Sequence, residues 1–250
     1  MDWFPEVLSS FDVLLLIGTS FFTSMITAAM GIGGGVALLA VMAQIVPAAA
    51  IVPVHGVVQF GSNIGRAGLM RHDINVKLLA YFAAGSLVGA LVGGQIVVSL
   101  PVTYLQLILG IFILYATWAP KPGGGIPSTK ALAVGGAFST LLTMFVGATG
   151  PFVAAILRPF ALGKLGQVAT MSICMVVQHL LKVVVFGLLG FSFAPYLPLM
   201  AAMIGLGFFG TIVGRKLLHS FSEKLFKHIL NSVLTLLALR LLWVAVSDMI

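Results

Sequence analysis

Apolar residues recur along the chain in long runs that end at glycine, proline or clusters of charge. A run of about 20 apolar residues is long enough to cross a lipid bilayer as a helix. The runs predict an all-α fold with ten helical segments. These cover residues 9–30, 36–46, 48–65, 75–98, 102–119, 131–147, 151–160, 166–189, 195–214 and 226–247.

Two of the predicted helices, 36–46 and 151–160, are too short to cross a membrane. At about 1.5 Å per residue they reach only about halfway. Each follows a glycine-rich break, Gly31–Gly35 before the first and Gly147–Pro151 before the second. This pattern is typical of the broken or re-entrant helices of secondary transporters.

Composition excludes a water-soluble protein. Hydrophobic residues make up 60% of the chain and charged residues 8%, whereas soluble domains are about a quarter charged. The net charge of +7 is therefore assigned to membrane-flanking loops and not to a nucleic-acid surface. The single cysteine, Cys174, predicts neither a disulfide nor a cysteine-based zinc site, and we expect no cofactor or metal.

The basic residues predict the orientation in a plasma (inner) membrane. If every basic loop is cytoplasmic, both termini lie outside, with the two short helices counted as partial crossings. The N-terminal tail is acidic and lacks the basic region of a signal peptide. The basic residues in question are Arg66, Arg71, His72, Lys77, Lys121, Lys130, Arg158, Lys164, Arg215, Lys216, Lys224 and Lys227.

The two halves of the chain carry matching features in the same order. Glycine breaks, polar stripes and paired glycines recur in each half, and the basic loops of one half correspond to uncharged loops of the other. The pattern predicts two inverted repeats, residues 1–119 and 131–250, joined by a cytoplasmic linker at 120–130. Chance similarity between hydrophobic sequences is the alternative.

The glycine breaks predict an anion site. A helix N-terminus has unpaired N–H groups and partial positive charge, and inside a membrane those groups must line a cavity or face protein. We assign backbone contacts with the cargo to the residues at the two breaks. Close helix packing is the alternative, and we prefer it for Gly89, Gly93, Gly210 and Gly214. The assigned residues are Gly33, Gly34, Gly35, Thr149 and Gly150.

Two polar stripes continue this site. His55, Gln59 and Asn63 share one helix face, as do Cys174, Gln178 and Lys182 on the corresponding helix. Polar groups inside a membrane usually face a bundle interior or a pathway. The amides and Lys182 are assigned to anion binding, and His55 to a coupling proton. The alternatives are interhelical hydrogen bonds for the amides and His55, and snorkelling for Lys182.

Two basic candidates, His179 and Arg240, and the acidic residues remain to be assigned. His179 is assigned to packing and Arg240 to snorkelling. All six acids fall in predicted tails or loops, and a carrier of protons or metal cations usually keeps a carboxylate in its pathway. The cargo is therefore predicted to be a small anion. The acids are Asp2, Glu6, Asp12, Asp73, Glu223 and Asp248.

The run Gly31-Ile-Gly-Gly-Gly35, a hydrophobic stretch, Pro47 and a polar helix resemble the TauE/SafE family of sulfite exporters. The resemblance covers nearly the whole chain, although the second break, Gly147-Ala-Thr-Gly-Pro151, departs from the family pattern. It implies export of sulfite or of organosulfonates such as sulfoacetate.

The rival functions are an anion channel and a non-transporting scaffold subunit. An enzyme is disfavoured because no HExxH, GxSxG or paired acids occur. The coupling proton or cation and the oligomeric state stay open.

Overall fold

The computed structural model describes residues 4–5, 7–30, 33–97, 102–118, 126–217, 223–247 and 249. Within these ranges the regular elements are helices and no strand is present, which confirms the all-α prediction. The helices described are α1 (Ser10–Met30), α2 (Gly34–Ile45), α3 (Ala48–Leu69), α4 (Val76–Val97), α5 (Val102–Trp118), α6 (Thr129–Val146), α7 (Gly150–Leu157), α8 (Gly163–Leu188), α9 (Leu197–Leu217) and α10 (Glu223–Ser247).

The lengths of these helices fit a membrane protein. Five segments of the described chain are long and apolar enough to cross a bilayer: α1, α4, α6, most of α8, and Ala194–Lys216, which contains most of α9. The 12-residue α2 and the 8-residue α7 are the two short helices that the sequence predicts. α3 has 22 residues but is not among the five, and it carries one of the polar stripes.

One helix end differs from the prediction in a way that matters for the site. α3 continues to Leu69 and not to residue 65, so Arg66 lies inside the helix and not in a basic loop. The prediction for Arg66 is wrong. The physical reason is that arginine is a good helix former and is favoured near a helix C-terminus, whereas the apolar run by which the helix was recognised stops before it.

Helices of the first half pack mainly against helices of the second. α4 packs on α6 and α9 packs on α1, while α3 packs on α8 and α5 on α10. The counterparts of α4 and α6 in the other half are α9 and α1. Exchanging the two halves therefore converts the α4–α6 contact into the α9–α1 contact. A two-fold relation between the halves predicts this pattern. The boundaries of the repeats stay a prediction, and residues 120–125 of the predicted linker lie outside the described residues.

Glycines make the two corresponding contacts close. A Cβ on Gly89 of α4 would collide with the carbonyl oxygen of Ala137 on α6, and one on Gly210 of α9 would collide with that of Phe21 on α1. Gly93 and Gly214 lie in the same two contacts. The packing role predicted for these four glycines is confirmed.

The short helix α2 is enclosed by the rest of the protein. It contacts α1, α3, α5 and α10, and Leu39, Ala40 and Met42 have no exposed surface. α7 packs on α6 and α8, with Val153 and Leu157 buried. Both helices therefore place their N-terminal backbone groups inside the protein, where lipid does not reach them.

Candidate functional site

The N-termini of α2 and α7 border one internal cavity. Gly33 and Gly35 line it at the start of α2, and Gly150 and Pro151 line it at the start of α7. Gly33 has a φ of 104°, a conformation that glycine adopts at little cost. No side chain caps either helix start, so the first N–H groups of α2 can serve as donors for a ligand. At α7, Pro151 has no N–H, and the N–H groups of Phe152 and Val153 donate to the Thr149 carbonyl oxygen, so this start offers fewer donors than α2. Gly31 lies outside the described residues.

The cavity has a volume of about 30 Å³. A single water needs about 10–15 Å³ of such space, so there is room for about two waters. The cavity is therefore on the scale of a small ion.

α3 lines the cavity with four polar side chains on one face. His55, Gln59 and Asn63 line it as the stripe predicts, and Arg66 continues the stripe. The Asn63 side-chain amide donates to the backbone carbonyl oxygen of Gln59 at 2.7 Å. The Asn63 side-chain oxygen accepts a hydrogen bond from the Arg66 guanidinium at 3.0 Å. Asn63 therefore positions Arg66, while the half-buried Gln59 faces the cavity beside Gly35, where a Cβ would lie 3.5 Å from its amide.

Arg66 is a charged residue of the cavity that the sequence pattern did not place there. It is 1% exposed, and its guanidinium donates to two neutral oxygens, those of Asn63 and Ser62. Among the described residues its Nε has no partner. A buried guanidinium is costly unless an anion compensates it. The spacing from His55 through Asn63 to Arg66 would have placed Arg66 on the polar stripe if the predicted helix 48–65 had been extended by one turn.

His179 of α8 lines the cavity opposite α3. It has no exposed surface, and neither of its ring nitrogens has a hydrogen-bond partner within the described part of the chain. Its ring stands edge-on to that of His55 with centroids 6.2 Å apart. A buried polar side chain without a partner usually marks an absent water, ion or ligand. The packing role predicted for His179 does not account for its two unpaired nitrogens.

His55 lies at the inner end of the cavity and connects the two breaks. It has no exposed surface, and its Nε2 lies 3.0 Å from the carbonyl oxygen of Gly35. Because a carbonyl oxygen only accepts, Nε2 carries a proton in this contact. On the other side of the ring, a Cβ on Gly147 would lie 3.5 Å from Nδ1. His55 thus holds the start of α2 and faces the end of α6.

Three residues predicted to contact the cargo have structural surroundings instead. Gly34 does not line the cavity, and a Cβ there would collide with the backbone of Thr23 on α1. The Thr149 hydroxyl donates to the side-chain amide oxygen of Gln178 at 2.8 Å. The Gln178 amide donates to hydroxyls on α6 at 3.1 and 3.2 Å. Gln178 therefore follows the alternative of interhelical hydrogen bonding.

Lys182 is fully buried, so it does not snorkel. Its ammonium donates to the carbonyl oxygen of Gly147 at 3.0 Å, and its stem packs against Gly56 of α3. It lies outside the cavity, one helical turn beyond His179. Arg240 is exposed, and its guanidinium donates to the amide oxygen of Gln44, so its assignment to snorkelling stays a prediction.

The cavity therefore offers an anion two helix N-termini, a guanidinium, an amide and an unpaired imidazole. Guanidinium and backbone N–H groups bind oxyanions with short, strong hydrogen bonds. Two of the three described acids lie elsewhere: Asp12 bonds to Ser9 at the start of α1, and Asp73 is exposed in the short 3-10 helix after α3. The third, Glu223, is the first residue of α10. No group of three or more potential metal ligands occurs in the described ranges.

Comparison with known proteins identifies a matching family. The family model described as "Sulfite exporter TauE/SafE" matches residues 16–241. No curated protein matches the chain, and neither does any solved structure.

Proposed function

The chain belongs to the sulfite exporter TauE/SafE family, a family of membrane transporters, and we propose that it exports a small sulfur oxyanion by alternating access. The anion binds in the cavity between α2 and α7. Sulfite is the first candidate cargo, and organosulfonates such as sulfoacetate are the second. The membrane is the inner membrane, with the basic loops on the cytoplasmic side.

The observation that carries this proposal is Arg66. Its guanidinium is buried in the cavity that both half-helix N-termini border, and its hydrogen bonds to Asn63 and Ser62 go to neutral oxygens and not to a carboxylate. An oxyanion in the cavity would compensate the buried charge, and its oxygens could accept from the Arg66 fork and from backbone N–H groups together. A cation in the same place would be repelled.

The volume of the cavity bears on the choice of anion. About 30 Å³ suits an ion of few heavy atoms, whereas a sulfonate with an organic tail would need the helices to move apart. This favours sulfite over sulfoacetate. The apolar walls given by Met171 and Met175 add no donors, so on α8 His179 is the side chain that can donate to the anion, whose other oxygens face α2, α3 and α7.

Coupling is assigned to His55. The ring lies in the cavity, its Nε2 bonds to Gly35, and an imidazole gains or loses a proton near neutral pH. Protonation of the second nitrogen would add a positive charge beside the bound anion. Export of the anion with a proton would follow from that arrangement.

Purified protein in liposomes tests the proposal. We expect saturable uptake of radiolabelled sulfite that is accelerated by unlabelled sulfite inside, with sulfate, thiosulfate and sulfoacetate as competing arms. Acceleration by the internal anion is a property of a carrier. Flux that does not saturate would indicate a channel, and no flux of any of the four anions would contradict anion transport by this chain.

A further inference from the structure

The interior holds a second cation that the cavity does not use. Lys182 is fully buried in α8, and its ammonium donates to the neutral carbonyl oxygen of Gly147. Placing an ammonium in a buried site costs several kcal/mol unless an anion compensates it. The cost calls for a reason beyond packing.

Capping of α6 does not supply that reason. Gly147 is the C-cap of α6, and its carbonyl oxygen already accepts from the Thr143 hydroxyl at 3.2 Å. A carbonyl left with that bond is satisfied, and a neutral side chain at position 182 could supply a second one. The charge of Lys182 is therefore not needed to finish the helix.

The positions of Arg66 and Lys182 relative to the cavity explain the buried charge of Lys182 better than helix capping does. Along α3 the cavity runs from His55 to Arg66, and along α8 it runs from His179 back to Met171, so the two helices run in opposite directions past it. The His55–His179 pair closes one end of the cavity. Arg66 lies on the cavity side of this pair, and Lys182 lies just beyond it.

We propose that Lys182 is a second anion-binding residue, on the far side of the His55–His179 pair, which the cargo reaches when the Arg66 side closes. This rests on the proposed transport function and adds a second position to its pathway. In the present conformation the Gly147 carbonyl accepts the bond that an oxygen of the anion would accept. When α6 and α7 move, the ammonium is released to the cargo.

Removing the charge separates this role from the first site. The probe is whichever of sulfite, sulfate, thiosulfate and sulfoacetate most raises the melting temperature of the wild-type protein. We expect Lys182→Met to keep that stabilisation, because the Arg66 site is intact. Exchange of labelled for unlabelled anion across liposomes should fall about tenfold or more, the effect of losing one charged hydrogen bond.

A matched pair of glycine variants keeps the test decisive if Lys182→Met folds poorly. A Cβ on Gly56 would lie 2.7 Å from Cε of Lys182, whereas one on Gly61 of the same helix would lie 2.7 Å from Ile204. Gly56→Ala moves the ammonium without removing it, and Gly61→Ala applies similar crowding elsewhere. We expect Gly56→Ala to slow exchange with binding retained, and Gly61→Ala to exchange as wild type does.

The outcomes are distinct. Wild-type exchange rates in Lys182→Met, or equal rates in the two glycine variants, would show that Lys182 only caps α6. Loss of anion-induced stabilisation in Lys182→Met would place Lys182 in the same site as Arg66 and overturn the second position. If the wild-type protein neither binds nor exchanges any of the four anions, the proposed function fails first.

Discussion

At the scale of single residues, the two adjacent glycines at the start of α2 face different surroundings. A methyl group on Gly34 would collide with the backbone of Thr23, whereas one on Gly35 would meet the Gln59 side chain at 3.5 Å, an ordinary contact. Only Gly35 lines the cavity. Folding and anion binding can therefore be perturbed separately at neighbouring positions.

We expect Gly34→Ala to lower the melting temperature, because crowding a tight helix contact costs about 1–3 kcal/mol. Gly35→Ala should melt at or above the wild-type temperature, since alanine favours a helix over glycine. Its methyl group should still weaken anion-induced stabilisation by occupying the cavity. Thermal melting with and without sulfite measures both effects. A Gly35→Ala protein that sulfite stabilises as fully as wild type would show that the anion does not approach α2.

The two glutamines on the polar stripes show what residue patterns can predict. Gln59 and Gln178 have equivalent positions in the sequence, and only Gln59 faces the cavity. Gln178 instead meets the hydroxyls of Ser139 and Thr140 on α6. Those partners lie about 40 residues away in the chain, so the stripe alone could not distinguish a ligand contact from an interhelical bond.

At the scale of elements, most of the fold could be predicted from the apolar runs. In lipid each helix must satisfy its own backbone, so a run of apolar residues and its glycine or proline ends indicate where a helix lies. The prediction failed at Arg66, where the helix continues into a charged residue. The pattern identifies a membrane helix by its apolar surface, and the last turn of α3 carries a buried charge.

The helix pairs α4–α6 and α9–α1 depend on glycine at their contacts. We expect Gly89→Ala to destabilise the protein by about 1–3 kcal/mol, because its methyl group would meet the Ala137 carbonyl. Gly205→Ala is the matched control, since nothing lies within 4 Å of a Cβ at that position of α9. Melting of the detergent-purified variants checks this. Equal melting temperatures for the two would contradict the close contact of α4 with α6.

At the scale of the whole molecule, the predicted inverted repeat determines which loops lie on the same side of the membrane and which lie on opposite sides. From the linker, α6 and α7 together enter and return, and α8 then crosses, so Ile126 and Ser192 should lie on opposite sides. Both residues are exposed. Under the proposed orientation Ile126 is cytoplasmic and Ser192 is outside, as are both termini.

Single cysteines at these positions test the orientation in a Cys174→Ala background. An impermeant thiol reagent applied to intact cells should label Ser192→Cys and spare Ile126→Cys, while broken cells should label both. Labelling of both from outside would contradict the inverted arrangement. Labelling of Ile126→Cys alone would reverse the orientation and leave the opposite placement of the two positions intact.

The central claim is that a small oxyanion binds to Arg66 between two half-helix N-termini. Calorimetric titration with sulfite of the purified wild-type protein, Arg66→Gln and Arg71→Gln tests it most directly. Arg71 is the control, because it is exposed in the short 3-10 helix after α3. We expect Arg66→Gln to weaken binding about tenfold to a hundredfold, the effect of losing hydrogen bonds to a charged group, and Arg71→Gln to bind as wild type does. Wild-type affinity in Arg66→Gln would contradict the account.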